Sequence, residues 1–250
     1  MKRQILTLAA LAATSSAAYA EVGLSTSIAY ESKYVFRGFQ FADSSIQPGI
    51  DLTYGDFYLG SWFNLPVGDD TGAGTTEMDI YGGYGGSLSE TLAYDIGFTL
   101  YTFPDSASGF LDLLSEDDGT GNNTFEIYGG VSLDAPLSPS LYVYHDFNFN
   151  TVTIQGGVGY SFPVADKTSF DLGGTVGYVV DNDDDADYLY GAVTADVSYA
   201  FSDDSSIFVG GRFGGTATPT ALGGTFWASE SGDATENTAF WWGLGFSSDF

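Results

Sequence analysis

The chain holds 250 residues with a formal charge of −27, only 6 Lys plus Arg, and no cysteine. So acidic a chain offers no basic surface for nucleic acid. Without cysteine it has no disulfide framework and no thiolate chemistry. Its 34 Gly, 20 Phe and 17 Tyr, beside a mean hydropathy of +0.03, point to an all-β protein built from short alternating runs.

The N-terminus reads as targeting sequence. Lys2 and Arg3 are basic, 5–13 is short and mostly apolar, and Ala18-Tyr19-Ala20 is a small-x-small cleavage site. Residues 1–20 are expected to be a signal peptide, with 21–250 forming one domain. That apolar run is too short for a helical span, and no later stretch approaches the roughly 18 continuous apolar residues such a span needs.

Twelve period-2 runs follow, separated by Asp, Gly, Pro and Ser clusters. The first, 22–37, places Val22, Leu24, Ile28, Tyr30, Tyr34 and Phe36 on one face and Glu31, Lys33 and Arg37 on the other. Next come 47–54, 57–65, 76–86 and 91–103. The runs 123–133, 140–149, 151–162 and 169–180 continue the pattern, and 186–199, 206–213 and 240–250 complete it. In the last, Phe240, Trp242, Leu244 and Phe246 alternate up to the terminal Phe250. This resembles the closing strand of outer-membrane barrels, although Ser248 stands where an apolar residue is usual.

The connections alternate in length. Those at 55–56, 87–90, 134–139, 163–168 and 200–205 are short. Longer ones lie at 38–46, 66–75, 104–122 and 214–233, and the tight turn near Asn150 breaks the trend. An even strand number with short turns at one end and longer loops at the other is the pattern of a transmembrane antiparallel β-barrel. Its backbone must pair fully, so the sheet must close. The expected fold is therefore an all-β barrel of twelve strands, with short periplasmic turns and longer external loops.

Several stretches resemble one family. They are Ser32-Lys33-Tyr34-Val35-Phe36-Arg37-Gly38, Gln47-Pro48-Gly49-Ile50-Asp51 and Gly55-Asp56-Phe57-Tyr58-Leu59-Gly60-Ser61-Trp62. Glu77-Met78-Asp79-Ile80-Tyr81-Gly82-Gly83-Tyr84 and His145-Asp146-Phe147 extend the match. On these the chain is similar to the TorF-family porins, a bacterial outer-membrane group also catalogued as Gcw_chp. The resemblance implies an outer-membrane barrel of a Gram-negative envelope and supplies no substrate.

If the apolar face meets lipid, the other face lines a lumen. Counting strand direction, Lys33, Arg37 and Arg212 are expected on one wall of a constriction. Glu77, Asp79, Glu126 and Asp146 are expected opposite, giving a transverse field that tunes ion selectivity. Inward glycines such as Gly97, Gly157 and Gly173 leave room for water, whereas inward Tyr58, Tyr128, Tyr142 and Trp241 narrow the bore. The competing reading is a buried network that fills the lumen. Asp181, Asp183, Asp185 and Asp187 form an acidic loop of calcium-ligand type, but the EF-hand glycine is missing, and a solvated surface loop explains it as well.

His145, the single histidine, lies in outward register and no G-x-S-x-G occurs, so no catalytic residues are expected and no cofactor is implied. The sequence is thus read as a porin-like channel for passive diffusion of small hydrophilic solutes or ions, with a preference for cations. The alternative is a non-conducting barrel that acts through its external loops in binding, adhesion or envelope organisation. Expected partners are outer-membrane lipids and lipopolysaccharide, the solutes themselves, and the barrel-assembly machinery during biogenesis. Nucleic acid is not among them, and a monomer is expected.

Overall fold

The structure is a computed structural model that describes residues 22–67, 76–104, 123–183, 187–216 and 238–250. The expected signal peptide, most of the connections at 66–75, 104–122 and 214–233, and Asp185 lie outside the described residues.

The alternating runs form strands because β-branched and aromatic side chains pack well on a pleated surface whose faces alternate. In chain order these are β1 (Val22–Glu31), β2 (Tyr34–Phe36), β3 (Phe39–Ala42), β4 (Ser45–Tyr54), β5 (Phe57–Pro66), β6 (Glu77–Ser87) and β7 (Leu92–Thr102). Then follow β8 (Thr124–Leu133), β9 (Ser140–Asp146), β10 (Thr151–Ala165), β11 (Thr168–Asp181), β12 (Tyr188–Ala200), β13 (Ser205–Thr216) and β14 (Thr238–Asp249). No helix occurs among the described residues.

Twelve of these strands close into one antiparallel barrel, each beside its neighbour in sequence, with β2 and β3 set apart as a two-stranded hairpin. Closure is made by β14 against β1, with Ile28 opposite Phe246 and Tyr30 opposite Leu244. The backbone of Phe250 continues the seam: its N–H donates to the Leu24 carbonyl at 2.8 Å. Every barrel strand therefore has two neighbours, and the barrel leaves no edge to be hydrated or extended.

The outer surface carries the apolar set in the expected register. Ile28, Leu52, Leu59, Ile96, Val176 and Leu244 are all exposed. Such a surface is costly in water and stable against lipid, which is the arrangement of a transmembrane barrel. The turns at 55–56, 87–90, 134–139, 163–168 and 200–205 fall at the end that holds Val22 and Phe250; the longer connections, and the tight turn near Asn150, fall at the other.

One expected element is corrected. The run 22–37 is not a single strand: β1 stops at Glu31, and a bend at Ser32-Lys33 leads into the β2–β3 hairpin. Its two central residues, Arg37 (φ 45°) and Gly38 (φ 87°), both have positive φ. That is the signature of a tight two-residue hairpin turn, here flanked by the pair Phe36–Phe39. Alternation continues through Tyr34 and Phe36, so sequence periodicity carries the strand too far and places these two rings on the lipid side. In the structure Tyr34 is buried, and both rings lie inside the barrel.

Candidate functional site: the lumen and its inserted hairpin

The hairpin crosses the lumen near the end with the long connections. Its residues meet inward side chains from strands around most of the wall. Tyr34 packs on Trp62 of β5 at 5.3 Å between ring centroids, and its hydroxyl donates to Glu77 Oε1 of β6 at 3.2 Å. Phe36 meets Tyr101 of β7 at 5.9 Å, and Phe39 meets Tyr188 of β12 at 4.9 Å.

At the tip, Arg37 grips Glu126 of β8 with both ends of its guanidinium. Nη1 donates to Oε2 at 2.6 Å and Nη2 to Oε1 at 2.9 Å. This fork-to-fork geometry is the strong form of an ion pair. Tyr101 adds a third donor to Oε1 at 3.1 Å, and the guanidinium stacks over Tyr144 at 4.7 Å. Glu126 is 1% exposed, so its charge depends on these partners.

The other residues expected at a constriction are placed as follows. Glu77 and Asp79 lie beneath the hairpin, both buried; Asp79 Oδ1 has no hydrogen-bond partner among the described residues. Asp146 is a turn cap: Oδ1 accepts the backbone N–H groups of Asn148 and Phe149, at 2.9 and 2.8 Å, and Oδ2 accepts from Thr124 at 2.5 Å. Lys33 donates to Gln40 of the same hairpin at 3.2 Å. Arg212 stands on the far wall in β13, paired with its neighbours Asp196 of β12 and Glu31 of β1, the latter at 3.3 Å. Arg37 thus does not face Glu126 across an open gap, because the hairpin carries it over. The two guanidiniums are matched with acids locally.

Below the hairpin the lumen divides into two unlike walls. From β4 to β9 a network of phenols and carboxylates fills the inward face. Tyr58 donates to Asp95 at 2.8 Å and shares a 2.6 Å bond with Tyr128; Tyr142 reaches the same Asp95 at 3.4 Å. Tyr81 donates to Asp51. Each ring lies flat because a glycine stands beside it on the next strand. A Cβ added at Gly97 would strike the Tyr128 ring, and one at Gly83 the Tyr58 ring.

From β10 to β13 the wall is lined with small residues, and a cavity of about 930 Å³ runs along it. It extends from the short-turn mouth, beside Glu90 and Asp134, past Gly157, Gly173 and Thr194 to the hairpin. Glu31, Asp196 and Arg212 line its side. Here too glycines make the space. A Cβ at Gly243 would meet the Glu31 carboxylate and one at Gly210 the Asp196 carboxylate, so both acids lie against the wall rather than across the bore. Tyr190 and Gln155 stand at the top of the cavity, joined by a 2.6 Å hydrogen bond. Neither was among the expected site residues. Tyr190 was legible by parity, since it opposes outward Leu189; Gln155 had no signal beyond being a polar residue between apolar Ile154 and Gly156.

The remaining candidates are outside this path. His145 sits in outward register, edge-on to Phe147 at 4.5 Å, with Nδ1 3.1 Å from the Thr151 carbonyl; no nucleophile stands in that contact set. Of the acidic loop, Asp187 accepts from Tyr178 at 2.9 Å and from the Asp181 N–H at 3.0 Å. Asp181 accepts from the Asp183 N–H at 2.9 Å, and Asp183 from Asn150 at 2.8 Å. These carboxylates hold the turn together, and no cluster fit to bind a metal ion occurs among the described residues.

Comparison with known proteins bears on this architecture. Residues 13–162 match the profile of a family described as "Bacterial protein of unknown function (Gcw_chp)". No curated protein matches the chain in sequence. Solved structures do match in fold. The KdgM porin superimposes with a TM-score of 0.57 at 13% identity, covering 90% of this chain and 99% of that one. A second KdgM structure, in complex with disordered oligogalacturonate, gives 0.57 at 12% identity with the same coverage. The COG4313 outer membrane channel from Pseudomonas putida F1 gives 0.51 at 11%, covering 95% and 100%. The NanC porin gives 0.50 at 11%, covering 90% and 98%.

Proposed function

Since the chain belongs to the Gcw_chp family and closes into a twelve-stranded barrel with a polar interior, we propose that it is a porin-like channel of the outer membrane. On this reading the short turns face the periplasm and the long connections face outside. The cavity along β10–β13 is the passage, and it admits small hydrophilic solutes and ions with a preference for cations. The motif at Ser32–Gly38 supports placing it among the TorF-type members.

The observation that carries this reading is the cavity itself. A barrel of this size packed shut would fill the β10–β13 wall with bulk. Here glycine and threonine line it, and the carboxylates beside it are held flat. The charge preference follows from the lining. Arg212 is shared between two carboxylates and Arg37 is clamped by Glu126, so neither guanidinium is left to receive an anion. Glu31 Oε2 has no partner among the described residues. The KdgM porin was solved with an oligogalacturonate, a polyanion; in the lumen described here both guanidiniums are already matched by carboxylates, and acidic saccharides are expected to be poor solutes.

Swelling of proteoliposomes tests this. Glucosamine and arabinose are expected to enter at least several-fold faster than galacturonate. Equal rates, or faster galacturonate, contradict the charge preference. A second reading, a non-conducting barrel that works through its outer loops, is favoured by one observation: the hairpin spans the lumen. Correctly folded protein that admits none of the three solutes supports it.

A further inference from the structure

We propose that the β2–β3 hairpin is a latched plug: the Arg37–Glu126 pair holds it across the lumen, and its displacement both widens the passage and exposes an acidic patch on the wall. This rests on the channel reading above and adds its regulation.

Four observations support it. First, between its two bends the hairpin makes no backbone hydrogen bond to the barrel among the described residues. Its strands pair only with each other and add no rung to the barrel ladder, so it can leave while the barrel stays closed. Second, its bidentate ion pair with the wall stands at one point. The bidentate pair sits at the tip, where it acts with the longest reach from the bends at Ser32 and Asp43-Ser44.

Third, the seated state carries internal cost. The hairpin covers polar groups that it does not satisfy. Beneath it, Asp79 Oδ1 and Asn64 Nδ2 are buried without hydrogen-bond partners among the described residues, and both would gain water if the hairpin lifted. A hairpin that is tightly latched yet leaves such groups dry has the makings of a two-state element.

Fourth, the groups it covers would change what the passage selects. Glu77, Asp79 and Glu126 are sealed under the hairpin, at 4%, 1% and 1% exposure. With the hairpin lifted, Arg37 leaves with it and the three carboxylates, on β6 and β8, face the lumen as one acidic patch. Acidic side chains along a pore favour cations. Seated, the channel is narrow and weakly selective; lifted, it is wide and strongly cation-selective. Current and selectivity are therefore expected to rise together.

The test compares single-channel currents and reversal potentials, in a potassium chloride gradient, of the native mature protein and three variants. These are Arg37→Ala, the charge-swapped R37E/E126R, and a deletion of residues 33–43 bridged by a short Gly-Ser linker. Folding of each is checked by heat-modifiable migration on gels. Arg37→Ala and the deletion are expected to raise mean current about threefold or more and to shift the reversal potential toward that of potassium. The swap is expected to return both toward native values. Folded variants whose current and selectivity equal those of the native protein overturn the plug while leaving the channel reading intact. If the deletion too is folded and silent, the channel reading falls and the plug falls with it. Higher current without a selectivity change refutes the role of the acidic patch.

Discussion

Replacing Arg212 with Met keeps most of the side-chain volume and removes the cation that serves Glu31 and Asp196. At an effective dielectric of about 20, charges 3.3 Å apart, the Arg212–Glu31 separation, attract by roughly 5 kcal/mol. Stripping one partner from a buried pair costs about 3–5 kcal/mol, because the other charge is left uncompensated. Glu31 and Asp196 each keep 12% of their side-chain surface, and both border the cavity, so water can relieve part of that cost. A loss of about 2–3 kcal/mol is expected from these limits. The assay is urea unfolding of the refolded barrel in lipid vesicles, followed by tryptophan fluorescence; Trp241 and Trp242 stand in the strand next to Arg212 and report the site. The cation-to-anion permeability ratio should rise in the same variant, since a fixed positive charge leaves the lining. Neutralising all three residues, as Arg212→Met with Glu31→Gln and Asp196→Asn, should recover stability to within about 1 kcal/mol of native. A single variant within about 0.5 kcal/mol of native, or a triple variant no better than the single, refutes the compensated-pair account.

Three further outcomes are expected. Gly38→Ala forces a Cβ to within 2.7 Å of Thr216 and 2.8 Å of Tyr190 at a φ of 87°, so the hairpin should unseat; trypsin should then cleave after Arg37 faster than in the native protein, and an unchanged digestion rate contradicts the packing described. Gly177→Ala places a methyl in the Tyr190 ring, which must tilt and give up Gln155; overpacking of this kind costs about 1–3 kcal/mol, and single-channel conductance should fall with the urea midpoint. Asp187→Ala removes the acceptor for Tyr178 and the Asp181 N–H; it should lower stability by about 1 kcal/mol, while calcium should shift the melting of neither the native protein nor the variant.

The barrel was legible because lipid contact enforces a strict period of two. Most expected runs end within about three residues of the observed strands, since Gly-Asp, Pro and Ser turns punctuate them. The inward aromatics Tyr58, Tyr81, Tyr101, Tyr128 and Trp241 were legible for the same reason. Parity gives the face but not the depth or the partner. Arg37 shows the limit. Its parity within 22–37 was inward, which is true, but the bend at Ser32-Lys33 has no proline or glycine, so the break in the strand left no local mark. The turn itself, Arg37-Gly38, lacks the Asn or Asp that usually flags a tight hairpin. Once the chain turns inward, the partner is chosen by the width of the lumen, a tertiary quantity that no spacing encodes. Glu126 is 89 residues away from Arg37 in sequence. The flat seating of Tyr128 over Gly97 or of Glu31 over Gly243 was hidden likewise, because it depends on which strands become neighbours and in what register.

The central claim is that a water-filled, cation-preferring path runs beside β10–β13. The most direct test is the single-channel current of refolded native protein in a planar bilayer under a potassium chloride gradient. Discrete steps with a reversal potential displaced toward that of potassium are the expected result. A folded, heat-modifiable barrel that passes no current, or one whose reversal potential lies toward that of chloride, contradicts it.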